Sequence, residues 1–181
     1  EQVRAGVLAD AAPAAIWPEL VLALTGKAPQ KALRIASDCG ALEQILPEVE
    51  ALFGVPQISE GQAEVDLGEH LLKALERAAA ENAPLPVRFA LLVMNVGKSD
   101  SPPEHLPVHY KHIERGRPRI EAIAKRFGAP AQCLDLALLA LAECERVHRV
   151  TQVRAGPVAA MLERLDAFGR PERFRQLLTV C

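Results

Sequence analysis

Leu91–His112 reads LLVMNVGKSDSPPEHLPVHYKH, an apolar run that gives way to a Gly97-Lys98 turn, a proline-rich loop and three histidines. The segment leading into it, Val87 to Val96, is almost wholly apolar, too hydrophobic for a surface helix, and predicts a central buried one. His105, His109 and His112 invite a metal reading, because neutral imidazole is a common metal ligand. At Met94-Asn95, where such a centre wants a second pair of ligands, the chain offers a thioether and an amide.

Composition sets the surroundings of this stretch. Of 181 residues, 50% are hydrophobic but only 4% aromatic. The core must therefore be built from Leu, Ala, Val and Ile, which favours helix over sheet. The formal net charge of −2 excludes a strongly basic surface over the whole chain and leaves only local patches for a polyanion. Cys39, Cys133, Cys144 and Cys181 form no CxxC pair, so free thiols in a reducing cytoplasm are expected. With no signal peptide and no apolar run of roughly 18 residues, a soluble cytoplasmic protein is expected, with no membrane partner. The chain opens on Glu1 without a methionine and stops at Cys181 in an apolar run, which suggests a piece of a longer polypeptide.

Working outward, the pattern predicts eight to nine helices and no sheet. Ile16, Trp17, Leu20, Val21 and Leu24 recur at helical spacing between Pro13 and Thr25-Gly26. A second helix runs from Pro29 to Asp38, and a third covers Leu42 to Phe53, with Pro47 starting a new turn or kinking it. Residues 55–64 are polar and turn-forming. Asp66 to Asn82 is a long helix in which Asp66 and His70, four residues apart, share a face, so that Asp66 could orient His70 or share a ligand with it. Helices follow from Lys111 or His112 to Phe127, with Pro118 marking a bend or break, from Pro130 to His148, from Val158 to Phe168, and after Arg170-Pro171. The organisation expected is a helical body at 1–54, a helical domain at 55–154, and the start of a tail at 155–181.

Gly97-Lys98-Ser99 is not the end of a P-loop. That loop needs a glycine where Leu92 stands and a helix that Pro102-Pro103 prevents. A glycine helix stop with a solvated lysine is the simpler reading. No GxSxG and no Cys-His pair with local activation logic supports nucleophilic catalysis. What remains is dispersed: His70, Met94-Asn95, His109 with His112, and Cys144-Glu145-His148, on four helices. A bundle can aim such residues at one point. Arg115, Arg117, Arg119, Lys125 and Arg126 lie on what reads as the solvent side of one helix.

Together these segments resemble the HD domain of bacterial CCA-adding enzymes, the tRNA nucleotidyltransferases of the poly(A) polymerase type. CGALEQILPEVEALFGVPQ (39–57) is similar to the family's body segment, and EVDLGEH (64–70) to its first histidine motif. VRFALLVMNVGK (87–98) is similar to the segment ending in His-Asp-Leu-Gly-Lys, PVHYKHIERG (107–116) to the Pro-x-His-x-x-His-Glu loop, and DAFGRPERF (166–174) to the closing Asp-Ala-x-x-Arg-Pro element. The resemblance implies an all-α, HD-type helical bundle preceded by a short helical body, with His70, Asn95, His109, His112 and Glu145 around a divalent metal such as Ni²⁺, Mg²⁺ or Mn²⁺. It implies tRNA as partner, with Arg115, Arg117, Arg119, Lys125 and Arg126 as phosphate contacts.

The departures from the family pattern bear on activity. Met94-Asn95 replaces the His-Asp doublet, and Cys144-Glu145 stands near the later one. An amide oxygen binds a hard cation far more weakly than a carboxylate does, and a thioether prefers soft metals. Metal-dependent phosphohydrolase chemistry is therefore expected to be weak or lost. The family's nucleotidyl-transfer head, with its Gly-Gly loop and Asp-x-Asp pair, is absent from these residues. Two alternatives remain: a working phosphatase or cyclic phosphodiesterase, or a non-enzymatic module that binds RNA or a nucleotide.

Overall fold

The computed structural model describes residues 12–58 and 64–181. Residues 59–63, half of the expected polar linker at 55–64, therefore lie outside the described residues, and so does the Ala-rich start of the chain. Among the described residues ten α-helices run in order: α1 (Pro13–Thr25), α2 (Pro29–Asp38), α3 (Ala41–Ile45), α4 (Pro47–Glu50), α5 (Leu67–Ala80), α6 (Leu85–Val93), α7 (His112–Phe127), α8 (Ala131–His148), α9 (Ala155–Arg164) and α10 (Pro171–Val180). The fold is all-α apart from one correction to the expectation of no strand. β1 (Pro56–Ile58) pairs antiparallel with β2 (Glu64–Asp66), Gln57 opposite Val65. Three residues a side are too few to alternate visibly in sequence.

Proline sets several boundaries. Pro13, Pro29, Pro47 and Pro171 each stand at the first turn of a helix, where a missing N–H leaves nothing unpaired. Pro47 thus starts a new turn instead of kinking an old one. Pro118 lies inside α7 without breaking it, and Gly128 ends that helix at φ 67, a left-handed position that glycine takes without steric cost. Asp66 is the N-cap of α5: its carboxylate accepts from the Glu69 N–H at 2.9 Å and also from the Gly54 N–H. The carboxylate expected to orient His70 is committed to backbone donors instead.

α6 lies at the centre, with every residue from Val87 to Val93 buried. α8 packs along it, and α10 closes against both. Trp17 on α1 sits edge-on to Phe89 at 5.9 Å between ring centres and stacks on Phe127 of α7 at 6.4 Å, joining three helices with few aromatics. The apolar run hides one charge. Arg88, 5% exposed, donates to the carbonyls of Ala83, Leu24 and Gly26 at 2.7–2.8 Å. Its guanidinium caps the C-terminus of α1, where free carbonyls favour a cation. Glu143, on α8, is likewise buried and accepts from Arg146 and from Arg164 of α9, each at 2.9 Å.

The connection from α6 to α7 is close-packed. A Cβ on Gly97, in the 3-10 turn Val96–Lys98, would stand 2.1 Å from the His112 carbonyl oxygen and 2.5 Å from the Gly116 nitrogen. Gly97 is therefore required for close approach to α7, not as a left-handed helix stop. No helix among the described residues is long and apolar enough to cross a membrane.

Candidate functional site

A cleft of about 690 Å³ opens where the end of α6, the Pro107–Lys111 loop, the start of α7 and the last turns of α8 meet. His70, Met94, Asn95, His109, His112, Glu145 and His148, drawn from five stretches of chain, all line it. His105 stays outside, exposed and edge-on to Tyr110.

Each imidazole has a distinct environment. His109 is 9% exposed, its Nδ1 2.7 Å from Ser101 Oγ and its Nε2 3.0 Å from the Pro56 carbonyl oxygen. A carbonyl only accepts, so Nε2 carries the proton and Nδ1 accepts from the serine hydroxyl. Both nitrogens of a neutral ring are then in use. His112 Nδ1 donates to the His109 carbonyl at 2.9 Å, while its Nε2 lies 3.6 Å from Glu145 Oε1. His70 lines the cleft with part of its residue open to solvent and its ring partly desolvated by the cleft. Burial, and then the charge of Lys98, hold His70 and His109 below the ordinary histidine value. At His112 burial again leads, with the backbone bond opposing it.

Lys98 overturns the expectation of a solvated side chain. It is half-buried, donates to Gln57 Oε1 of β1, and lines the cleft. Burial pushes its pKa down to about 8, with Glu145 pulling the other way. The mouth is apolar: Ile58, Val108, Tyr110 and Ile113 are all exposed large hydrophobics that line the same cleft. Sequence reasoning missed this rim and the role of Lys98. The available signal was a single lysine in the turn that follows the buried run of α6.

Met94 and Asn95 bring a thioether and a neutral amide, weak donors for a hard divalent cation. No group of three His, Cys, Asp or Glu side chains among the described residues is arranged to hold one. His109 has no free nitrogen to offer, and Met94-Asn95 brings no charge.

The basic stripe expected on α7 is also revised. Arg115 donates to the carbonyls of Gly97 and Tyr110 and to Ser101 Oγ. Arg119 donates to the Val96 carbonyl, to Ser99 and, through both terminal nitrogens, to Asp100. Arg126 forms a two-bond fork with Glu48. Arg115 and Arg119 point inward because the 3-10 turn and its loop present carbonyls that need donors, whereas Arg126 reaches the start of α4. Arg117 and Lys125 are the exposed members of the set.

An all-α protein with an imidazole- and lysine-lined cleft is the class that fold and site define. Comparison with known proteins narrows it. The chain is 42% identical over 98% of its length to the multifunctional CCA protein of Ralstonia nicotianae. It is 41% identical over 98% to that of Tolumonas auensis, and 41% over 92% to that of Neisseria gonorrhoeae. It spans less than half the length of these relatives, 40–43% of each. No family model matches the chain, and no solved structure matches it.

Proposed function

We propose that this chain is the HD-type portion of a CCA-adding tRNA nucleotidyltransferase, with residues 1–54 as helical body, 55–154 as HD-type domain and 155–181 as the start of the tail. Nucleotidyl transfer belongs to a head that these residues do not include. The metal-dependent phosphohydrolase chemistry of the HD cleft is lost. Similarity to multifunctional CCA proteins along nearly the whole chain supports the family reading. The donor set carries the second part: Met94-Asn95 on the cleft wall, beside a histidine with both nitrogens bonded to protein.

What such a cleft suits is a phosphoryl anion held without metal. Lys98 supplies charge in a partly desolvated place, where it acts more strongly than at the surface. Asn95 supplies an amide, and the rim of Tyr110, Val108, Ile58 and Ile113 offers apolar contact. RNA contact falls to the exposed side chains Arg117 and Lys125, while Arg115, Arg119 and Arg126 hold the scaffold that presents them.

Titration of inorganic phosphate and of tRNA into the purified protein tests the reading. Phosphate should bind with equal affinity in chelator and in added Mg²⁺, and tRNA affinity should fall steeply with salt. Phosphate binding that requires a divalent ion would overturn the metal-free cleft. Salt-insensitive or absent tRNA binding would overturn the RNA role.

A further inference from the structure

The four cysteines divide into two kinds. Cys39 is exposed and Cys133 buried, both as free thiols, and burial raises Cys133 to about 11, which keeps it protonated and inert. Cys144 and Cys181 are joined as a disulfide, their Cα atoms 5.2 Å apart, a separation within the range a disulfide spans. This corrects the expectation of free thiols at those two positions. Neither residue has a local motif, because the pair is made by the packing of α10 on α8 across 37 residues.

The bond joins the wall of the cleft to the end of α10. Cys144 is 5% exposed and lines the cleft, while Cys181 is more accessible. At the same place His148, also a cleft residue, donates from Nε2 to the Cys181 carbonyl. Away from this end, α10 is held by the Arg173 pair with Asp135, and its last turn is itself anchored by buried Leu177 and Val180. Those contacts do not depend on the disulfide, so breaking it releases Cys181 and leaves the helix docked.

We infer that Cys144 and Cys181 form a reversible thiol–disulfide site, exchanged by a small-molecule thiol of the glutathione type, that governs how firmly the end of α10 closes the α8 side of the cleft. The thiolate of glutathione attacks the more accessible Cys181 Sγ, the S–S bond breaks, and Cys144 leaves as a thiolate. Lys98, in the same cleft, favours that anion. A second glutathione thiolate attacks the glutathione sulfur of the mixed disulfide and releases the Cys181 thiolate together with oxidised glutathione. Two electrons pass from two glutathiones to the protein, and the two protein thiolates take up the protons those glutathiones released. Reduction frees Cys181 from α8 and with it loosens the hold on the His148 imidazole. This site stands apart from the proposed function, since its state is read by mass without any ligand.

The test is to equilibrate the full chain in glutathione buffers from reducing to oxidising, quench in acid, alkylate, and map the cysteines by mass spectrometry after nonreducing digestion. Melting temperature is followed on the same samples. A peptide cross-linked through Cys144 and Cys181 should appear as the buffer becomes oxidising and vanish as it becomes reducing, with a fall in melting temperature of roughly 5–10 °C on reduction. Cys181→Ser should remove the redox dependence of melting. Should that variant fail to fold, Cys144→Ala read the same way keeps the question open to measurement. Absence of the cross-linked peptide at every buffer ratio would overturn the inference. Its persistence in the most reducing buffer would overturn it too, by making the bond a permanent staple.

Discussion

Two cationic regions meet at the Val96–Lys98 turn. On one side Arg115 and Arg119 reach in from α7 and end on backbone carbonyls, Ser99, Ser101 and Asp100. On the other, Lys98 faces the cleft with an amide oxygen as its hydrogen-bond partner and a lowered pKa. The arginines satisfy polar groups that would otherwise be buried without donors, so they stabilise the fold and have little left for a ligand. The lysine is held in a place that disfavours its charge, so it costs stability and remains available. The proposed binding group and the groups that hold the fold thus meet at a single turn of chain.

The largest effect should come from breaking the seam on which both regions depend. Gly97→Leu forces a side chain into the α7 backbone, where overpacking by even a few methylenes costs about 1–3 kcal/mol and more where backbone must shift. Loss of cooperative melting is expected, and a melting temperature close to that of the parent would refute the close-packing role. Next come paired variants that should move in opposite directions. Arg119→Ala should lose about 1–3 kcal/mol in urea unfolding, with phosphate binding retained. Lys98→Met should gain about 1–3 kcal/mol and lose phosphate binding at least tenfold.

The sign of the Lys98 effect follows from linkage. Its folded value of about 8 lies below the ordinary 10.5, so the unfolded chain binds the proton more tightly, and stability declines as pH falls from about 10.5 to 8 and then levels. Lys98→Met should flatten the stability profile in that window, measured as urea midpoint against pH. His70, His109 and His112 are likewise lowered from 6.5, so a further loss of stability is expected as pH falls through and below that value. His109→Gln should reduce that acid slope. The smallest effect belongs to the exposed face. Arg117→Ala and Lys125→Ala should each change stability by less than about 0.5 kcal/mol while lowering the salt slope of tRNA binding by about one.

Much of the fold was legible in the sequence because the helices are punctuated by proline and glycine and their apolar faces repeat at helical spacing. Pro13, Pro29, Gly128 and Pro171 mark boundaries where the structure has them. The β1–β2 hairpin was not legible, being three residues a side, and nor was Arg88, which looks like an interruption of an apolar run until the carbonyls of α1 are seen beside it. For the cleft, the residue set could be read and its hydrogen bonds could not. His109 reads as a ligand by spacing, and only the positions of Ser101 and Pro56 reveal that its nitrogens are occupied. The Arg115 and Arg119 side chains read as solvent-facing for the same reason, since helical periodicity says nothing of the carbonyls opposite them.

The proposal that matters most is that metal-dependent phosphohydrolase chemistry is weak or lost at this cleft. A phosphatase assay on the purified chain with added Ni²⁺, Mg²⁺ or Mn²⁺, against a chelator control, tests it most directly. The account predicts no release of phosphate above the metal-only blank with any of the three ions, and robust metal-dependent turnover would contradict it.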